Sequence, residues 1–240
     1  MKIYILSTLV LFCFSFVGKA QPPSYDDLLI LYADGKYEKL IEECLKYNDK
    51  DATKNDPLPY LYLAKGYYGM SLQGDRGAAY KNAFKSSSQA IGRFYKKDKA
   101  GSFTAENEEF IEELKSAAAE VLLNEFEAKN YRKASTSANV FRKTSPDNVG
   151  ADLMIAASKF LDNDKSSAVS IWREKEKEFL ALEKINTSSA ADVKIYKEAI
   201  IATAECMIQI KQVDRARKVL EKGQELIQEE DFKKECEALY

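Results

Sequence analysis

The chain has 240 residues, with 36 Lys and Arg against 38 Asp and Glu, no histidine, 45% apolar residues and four cysteines. A formal charge of −2 with both signs interspersed excludes a nucleic-acid surface built on a dominant basic stripe. The lack of histidine excludes histidine-assisted serine or cysteine catalysis and most zinc arrangements.

At the N-terminus, Lys2 is followed by the apolar run IYILSTLVLFCFSFV and then by the small residues Gly18 and Ala20 flanking Lys19. This pattern reads as a cleaved export signal over residues 1–20, leaving a single mature domain over 21–240 that starts at Gln21. The run is short for a membrane span and no stop-transfer pattern follows, so no stable membrane insertion is expected. Cys13 lies inside the run, behind the bulky Phe12 and ahead of further apolar residues, which disfavours lipid anchoring. Cleavage leaves Cys44, Cys206 and Cys236, which lack CxxC spacing. Cys206 and Cys236 can bridge if their helices lie side by side.

Apolar residues then recur at three and four, the period of amphipathic helices. The predicted helices span 24–33, 36–49, 58–73, 75–97, 104–129, 131–143, 147–162, 165–184, 189–210, 212–227 and 230–239. No stretch alternates long enough to argue for a sheet, so the fold class is all-α. The breaks fall at Asp34-Gly35, Gly74-Asp75, near Asn130, at Asn163-Asp164 and near Lys211-Gln212, where Gly, Asn or Asp suits a tight turn between helices. Each is followed by Leu40, Ala79, Ala134, Ala168 or Ala216, which let two antiparallel helices approach closely. Ala134 and Ala168 are 34 residues apart, and the other separations are 39, 55 and 48.

The stretch NYRKASTSANVFRKTSP, residues 130–146, resembles the second half of a tetratricopeptide repeat. Asn130 and Tyr131 fill the turn, Ala134 the small position and Pro146 the closing position, while Ala138 and Phe141 exchange the family's large and small residues. Ala204, Met207, Val213, Ala216, Leu220 and Gly223 carry a similar pattern in the last unit. The resemblance implies a right-handed superhelix of about five stacked antiparallel helix pairs plus a C-terminal helix. An irregular helical bundle is the alternative.

Other motifs carry no reaction by themselves. The carboxylates of ENEEFIEEL, residues 106–114, sit beside the apolar Phe110, Ile111 and Leu114, as on a solvated helix face. The basic run Arg93, Lys96, Lys97 and Lys99 is placed to oppose them across a turn. No glycine-rich phosphate loop is present. No cofactor and no metal site is expected.

In the resembled family the first helices of the repeats line a concave surface that takes peptides or proteins. Carried onto this sequence, those positions include Leu61, Tyr68, Leu72, Leu153, Phe160, Ile201, Glu205 and Ile208. Tyr60, Tyr62, Tyr67 and Tyr68 add an aromatic cluster suited to contact. The carboxylate-clamp set of Lys, Arg and Asn does not assemble. The chain is similar to exported, periplasmic repeat proteins of Bacteroidota, which implies a non-enzymatic scaffold binding a protein or peptide, such as a subunit of a secretion, motility or polysaccharide-uptake assembly. Its compartment is then the periplasm or the extracellular space. A carboxylate-based hydrolase or enzyme accessory, and a structural spacer without a groove ligand, are the alternatives.

Overall fold

The computed structural model describes residues 24–75 and 77–239; the export signal read over 1–20, with its Cys13, and the start at Gln21 lie outside the described residues. In chain order the helices are α1 (Asp26–Ala33), α2 (Tyr37–Asp49), α3 (Pro57–Leu72), α4 (Ala83–Lys97), α5 (Ser102–Glu106), α6 (Glu108–Glu127), α7 (Tyr131–Thr144), α8 (Val149–Leu161), α9 (Lys165–Leu180), α10 (Ala190–Gln209), α11 (Val213–Leu226) and α12 (Glu230–Glu237). Among the described residues there is no strand, and the fold is all-α. Antiparallel packing repeats through α1/α2, α3/α4, α6/α7, α8/α9 and α10/α11, with α12 packed on α11.

Four of these pairs share one turn. Gly35, Lys129, Asn163 and Lys211 take positive φ, at 66, 59, 67 and 62°. The next amide then donates back across the turn: Lys36 to the Leu31 carbonyl at 2.9 Å, Asn130 to Glu125 at 2.9 Å, Asp164 to Lys159 at 2.8 Å and Gln212 to Met207 at 2.9 Å. This bond satisfies a carbonyl that the end of the first helix leaves open. Five residues beyond each left-handed residue stands Leu40, Ala134, Ala168 or Ala216, none more than 1% exposed. The same turn therefore delivers the same helix register four times.

The second pair departs from this plan. A helix predicted over 75–97 begins only at Ala83, after a 3-10 turn over Ala78–Tyr80. Gly77 precedes that turn with φ 65° and ψ 163°, a backbone that stops a helix and is open to glycine at little cost. Ala79, expected between the helices, is exposed; Ser87 stands there instead, and its hydroxyl donates to the Ala64 carbonyl at 2.8 Å. The predicted 104–129 helix is also broken, at Asn107. The Asp98 carboxylate accepts from both the backbone and hydroxyl of Thr104 at 2.7 Å, setting α5 apart from α6.

Two apolar cores result. The first joins α1 to α4 with Phe110, Ile111 and Leu114 of α6; the second joins Ala118, Ala119 and Leu122 of α6 with α7 to α12. Helix α6 spans both. In the second core, α8 is buried from Val149 to Ser158 and again at Phe160, enclosed by α7, α9 and α10. Helix α6 packs directly on α10, so the first helices of the third and fifth pairs meet.

Candidate functional site

The eight residues assigned to a partner surface divide sharply. Leu61, Leu153 and Phe160 are 1, 0 and 4% exposed, so they seal the cores and offer a partner no surface. The family's register put them on first helices, but α8 is enclosed by α7, α9 and α10. Ile201 and Ile208 are half-buried and Glu205 is exposed, along one side of α10. Tyr68 and Leu72 come together in a groove.

That groove, about 380 Å³, lies between the end of α3, the start of α4 and the middle of α6. Helix α3 ends at Leu72 because Gln73 turns to extended backbone, with φ −79° and ψ 133°. The Leu72 side chain is left 67% exposed. Opposite it, α6 buries Leu114, Ala118 and Leu122 and turns Ala117, Glu120 and Val121 outward, with Val121 43% exposed. Tyr68 lies between these walls, its ring edge-on to Phe110 at 5.9 Å and tilted to Phe84 at 6.4 Å. Burial, and then the nearby Glu113 carboxylate, push the Tyr68 hydroxyl up to about 12. It is therefore a neutral hydrogen-bonding group at the mouth of an apolar groove.

One line of charge runs along α6 and meets the groove at Glu120. Glu113, Glu120 and Glu127 recur every seven residues, close to two helical turns, and all three are exposed. Their neighbours Glu112 and Glu125 pair with Lys115 and Lys133, whereas these three pair with no cation within 4 Å among the described residues. The line leads to α10, where burial and then the carboxylates of Glu235, Glu205 and Glu127 raise the Glu198 carboxyl above its ordinary range. Of these carboxylates the sequence reading singled out Glu205 alone as a partner contact, although the seven-residue spacing of the glutamates on α6 was an available signal for the rest.

A larger cavity of about 760 Å³ opens between α2, the end of α3 and the following loop. Its walls mix Glu38, Glu42 and Asp75 with Lys36 and Lys39, and Lys36 is already bonded to Asp34 at 2.7 Å. Its lining holds no exposed apolar side chain comparable to Leu72.

Other polar groups are engaged internally. Glu112 and Asp192 flank Lys115, at 2.8 and 3.2 Å, but Glu112 also accepts from Ser189 and Asp192 from Ser145 and Asn148. These carboxylates hold helices together and face neither cavity. The Lys65 ammonium sits 5.1 to 5.5 Å from the ring centres of Tyr32, Tyr62 and Phe110 and donates to Asn107 at 2.7 Å, tying α1, α3 and α6 together. The basic run 93–99 does not pair with the acidic run: Lys97 donates to Asn55 instead. Cys206 and Cys236, weighed as a bridge, are both free and buried, and burial raises their thiols to about 12 and about 11.

Among the described residues no group of three or more His, Cys, Asp and Glu is arranged to hold a metal ion. No helix there is long and apolar enough to cross a membrane. Comparison of the chain with protein-family models, with curated proteins and with solved structures finds no match in any of the three.

Proposed function

We propose that this chain is a non-catalytic scaffold of tetratricopeptide type, wound as a right-handed superhelix, that docks a protein or peptide in the groove of α3, α4 and α6. The observation that carries this reading is the pair Leu72 and Val121, large apolar side chains 67 and 43% exposed on facing walls beside Tyr68. Exposed apolar area collected in a concave site is the usual mark of an interaction surface. The expected setting is an exported assembly, with the partner a subunit of a secretion, motility or polysaccharide-uptake system. A photo-crosslinking amino acid at Leu72 or Val121, compared with one at the distant Val213, tests the reading in the native host. A discrete adduct from the two groove positions alone supports docking; identical products from all three positions, or none, count against it.

A structural spacer is the second reading, favoured by the packing of α6 on α10, which occupies part of the inner helical face with the protein's own side chains. In that case the groove is empty of partners and crosslinking yields none.

A further inference from the structure

We propose that the groove takes a basic amphipathic segment of a protein partner, an inference that rests on the docking reading above and names the partner's chemistry. The floor and walls supplied by Tyr68, Leu72, Phe84 and Val121 accept one or two apolar side chains, and a volume of about 380 Å³ is of that size. Charge decides what flanks them. Glu113, Glu120 and Glu127 form a line along α6 that meets no cation within 4 Å among the described residues. The lining itself holds one carboxylate, Glu120, and one cation, Lys81, on the α4 side, with Glu113 and Glu127 one stretch of α6 to either side of Glu120.

Beyond Glu127 further carboxylates gather at Glu198, Glu205 and Glu235; burial first, and then these neighbouring charges, raise the Glu198 carboxyl. An acidic segment laid along α6 would meet these like charges, and a basic one is attracted to them. A helix presenting leucine-type anchors on one face, with Lys or Arg one turn away, matches the apolar strip of Leu72 and Val121 beside the carboxylate line. Glu113 already lies against the Tyr68 hydroxyl, so a cation there meets a carboxylate and a tyrosine ring together.

The test uses two fluorescein-labelled 14-residue helical peptides of identical leucine pattern, one with lysine and one with glutamate at every polar position, followed by fluorescence anisotropy. The lysine peptide should bind, and Glu113→Gln/Glu120→Gln/Glu127→Gln should weaken it about tenfold. Leu72→Ser/Val121→Ser should weaken it at least as much. Glu174→Gln/Glu183→Gln/Glu221→Gln, which removes the same charge from exposed sites elsewhere, should leave it within about twofold. Circular dichroism checks that all three variants remain folded.

An equal loss from the two glutamine triples would mean that only net charge attracts the peptide, and the proposal falls. Binding of the glutamate peptide that depends on Leu72 and Val121 would overturn the basic partner while leaving the docking reading standing. Insensitivity of both peptides to Leu72→Ser/Val121→Ser would remove both.

Discussion

The Lys115 ammonium lies 3.2 Å from the Asp192 carboxylate, joining α6 to α10 across 77 residues of sequence. Asp192 is 3% exposed and also accepts from the Ser145 hydroxyl at 2.6 Å and the Asn148 amide at 2.7 Å. One carboxylate thus secures α6, the joint between α7 and α8, and the first turn of α10. Removing it strands the buried Ser145 and Asn148 donors and leaves the Lys115 ammonium with Glu112 as its one remaining carboxylate. Asp192→Ala is expected to cost about 3–5 kcal/mol in urea denaturation, and a compensating Lys115→Met should restore part of that loss.

The same pair predicts alkaline sensitivity. Burial by itself lowers the Lys115 pKa, but the hydrogen bond it donates to Glu112 and the charge of Asp192 outweigh it and leave the folded value above the ordinary 10.5. A raised cation contributes stability below its unfolded pKa and loses it as pH rises through the folded value. Unfolding midpoints should therefore fall above about pH 10.5, and Lys115→Met/Asp192→Leu should flatten that part of the profile. A decline of the same steepness in the double variant would assign the alkaline loss to other groups.

Gly69 makes a different kind of contact. A Cβ at Gly69 would stand 2.5 Å from the Tyr37 ring, so the absence of a side chain lets that ring lie on α3. Alanine improves helix propensity by about 1 kcal/mol, but overpacking costs about 1–3 kcal/mol. Gly69→Ala should destabilise the protein alone and stabilise it by about 1 kcal/mol in a Tyr37→Ala background. The thermodynamic cycle of the four proteins reads this reversal; the same sign in both backgrounds would mean that the ring swings aside freely.

The repeated turn was partly legible because Gly35 and Asn163 announce left-handed backbone, and the small residues at 134, 168 and 216 recur behind it. Lys129 and Lys211 hold the same conformation with no such signal in residue type. Ala79 was misplaced because Gly74-Asp75 looks like the other breaks, whereas Gly77 ends the turn in a conformation that delays α4 to Ala83. The enclosure of Leu153 and Phe160 was not legible, since an apolar face reads alike whether another helix or a partner covers it. Val121 escaped notice because it stands next to Leu122, whose burial fits the helical period and hides its neighbour's exposure.

Glu198 should report its surroundings through pH. Its carboxyl is raised above 4.5 by burial and then by Glu235, Glu205 and Glu127. A raised acid holds its proton longer when folded than when unfolded, so stability declines as pH rises from about 4.5 through the folded value, and the penalty is complete above it. Glu198→Gln is expected to raise the urea midpoint at pH 7, with the gain shrinking toward zero below about pH 4.5. A gain that is constant with pH would point to packing rather than charge.

Trp172 separates packing from hydrogen bonding in the second core. It is 1% exposed, its ring is tilted against Phe160 at 5.6 Å, and its indole N–H finds no acceptor among the described residues. Replacement by phenylalanine removes some packed area but also removes an unpaired buried donor, whose desolvation costs about 1–3 kcal/mol. Alanine removes the packing outright, at about 3–5 kcal/mol. Trp172→Phe should therefore cost about 1 kcal/mol or less, well below Trp172→Ala. The chain contains one tryptophan, so both variants must be followed by circular dichroism rather than by intrinsic indole fluorescence. Equal losses from the two substitutions would show that the larger ring is indispensable to the fit against α8 and that the unpaired donor carries little penalty.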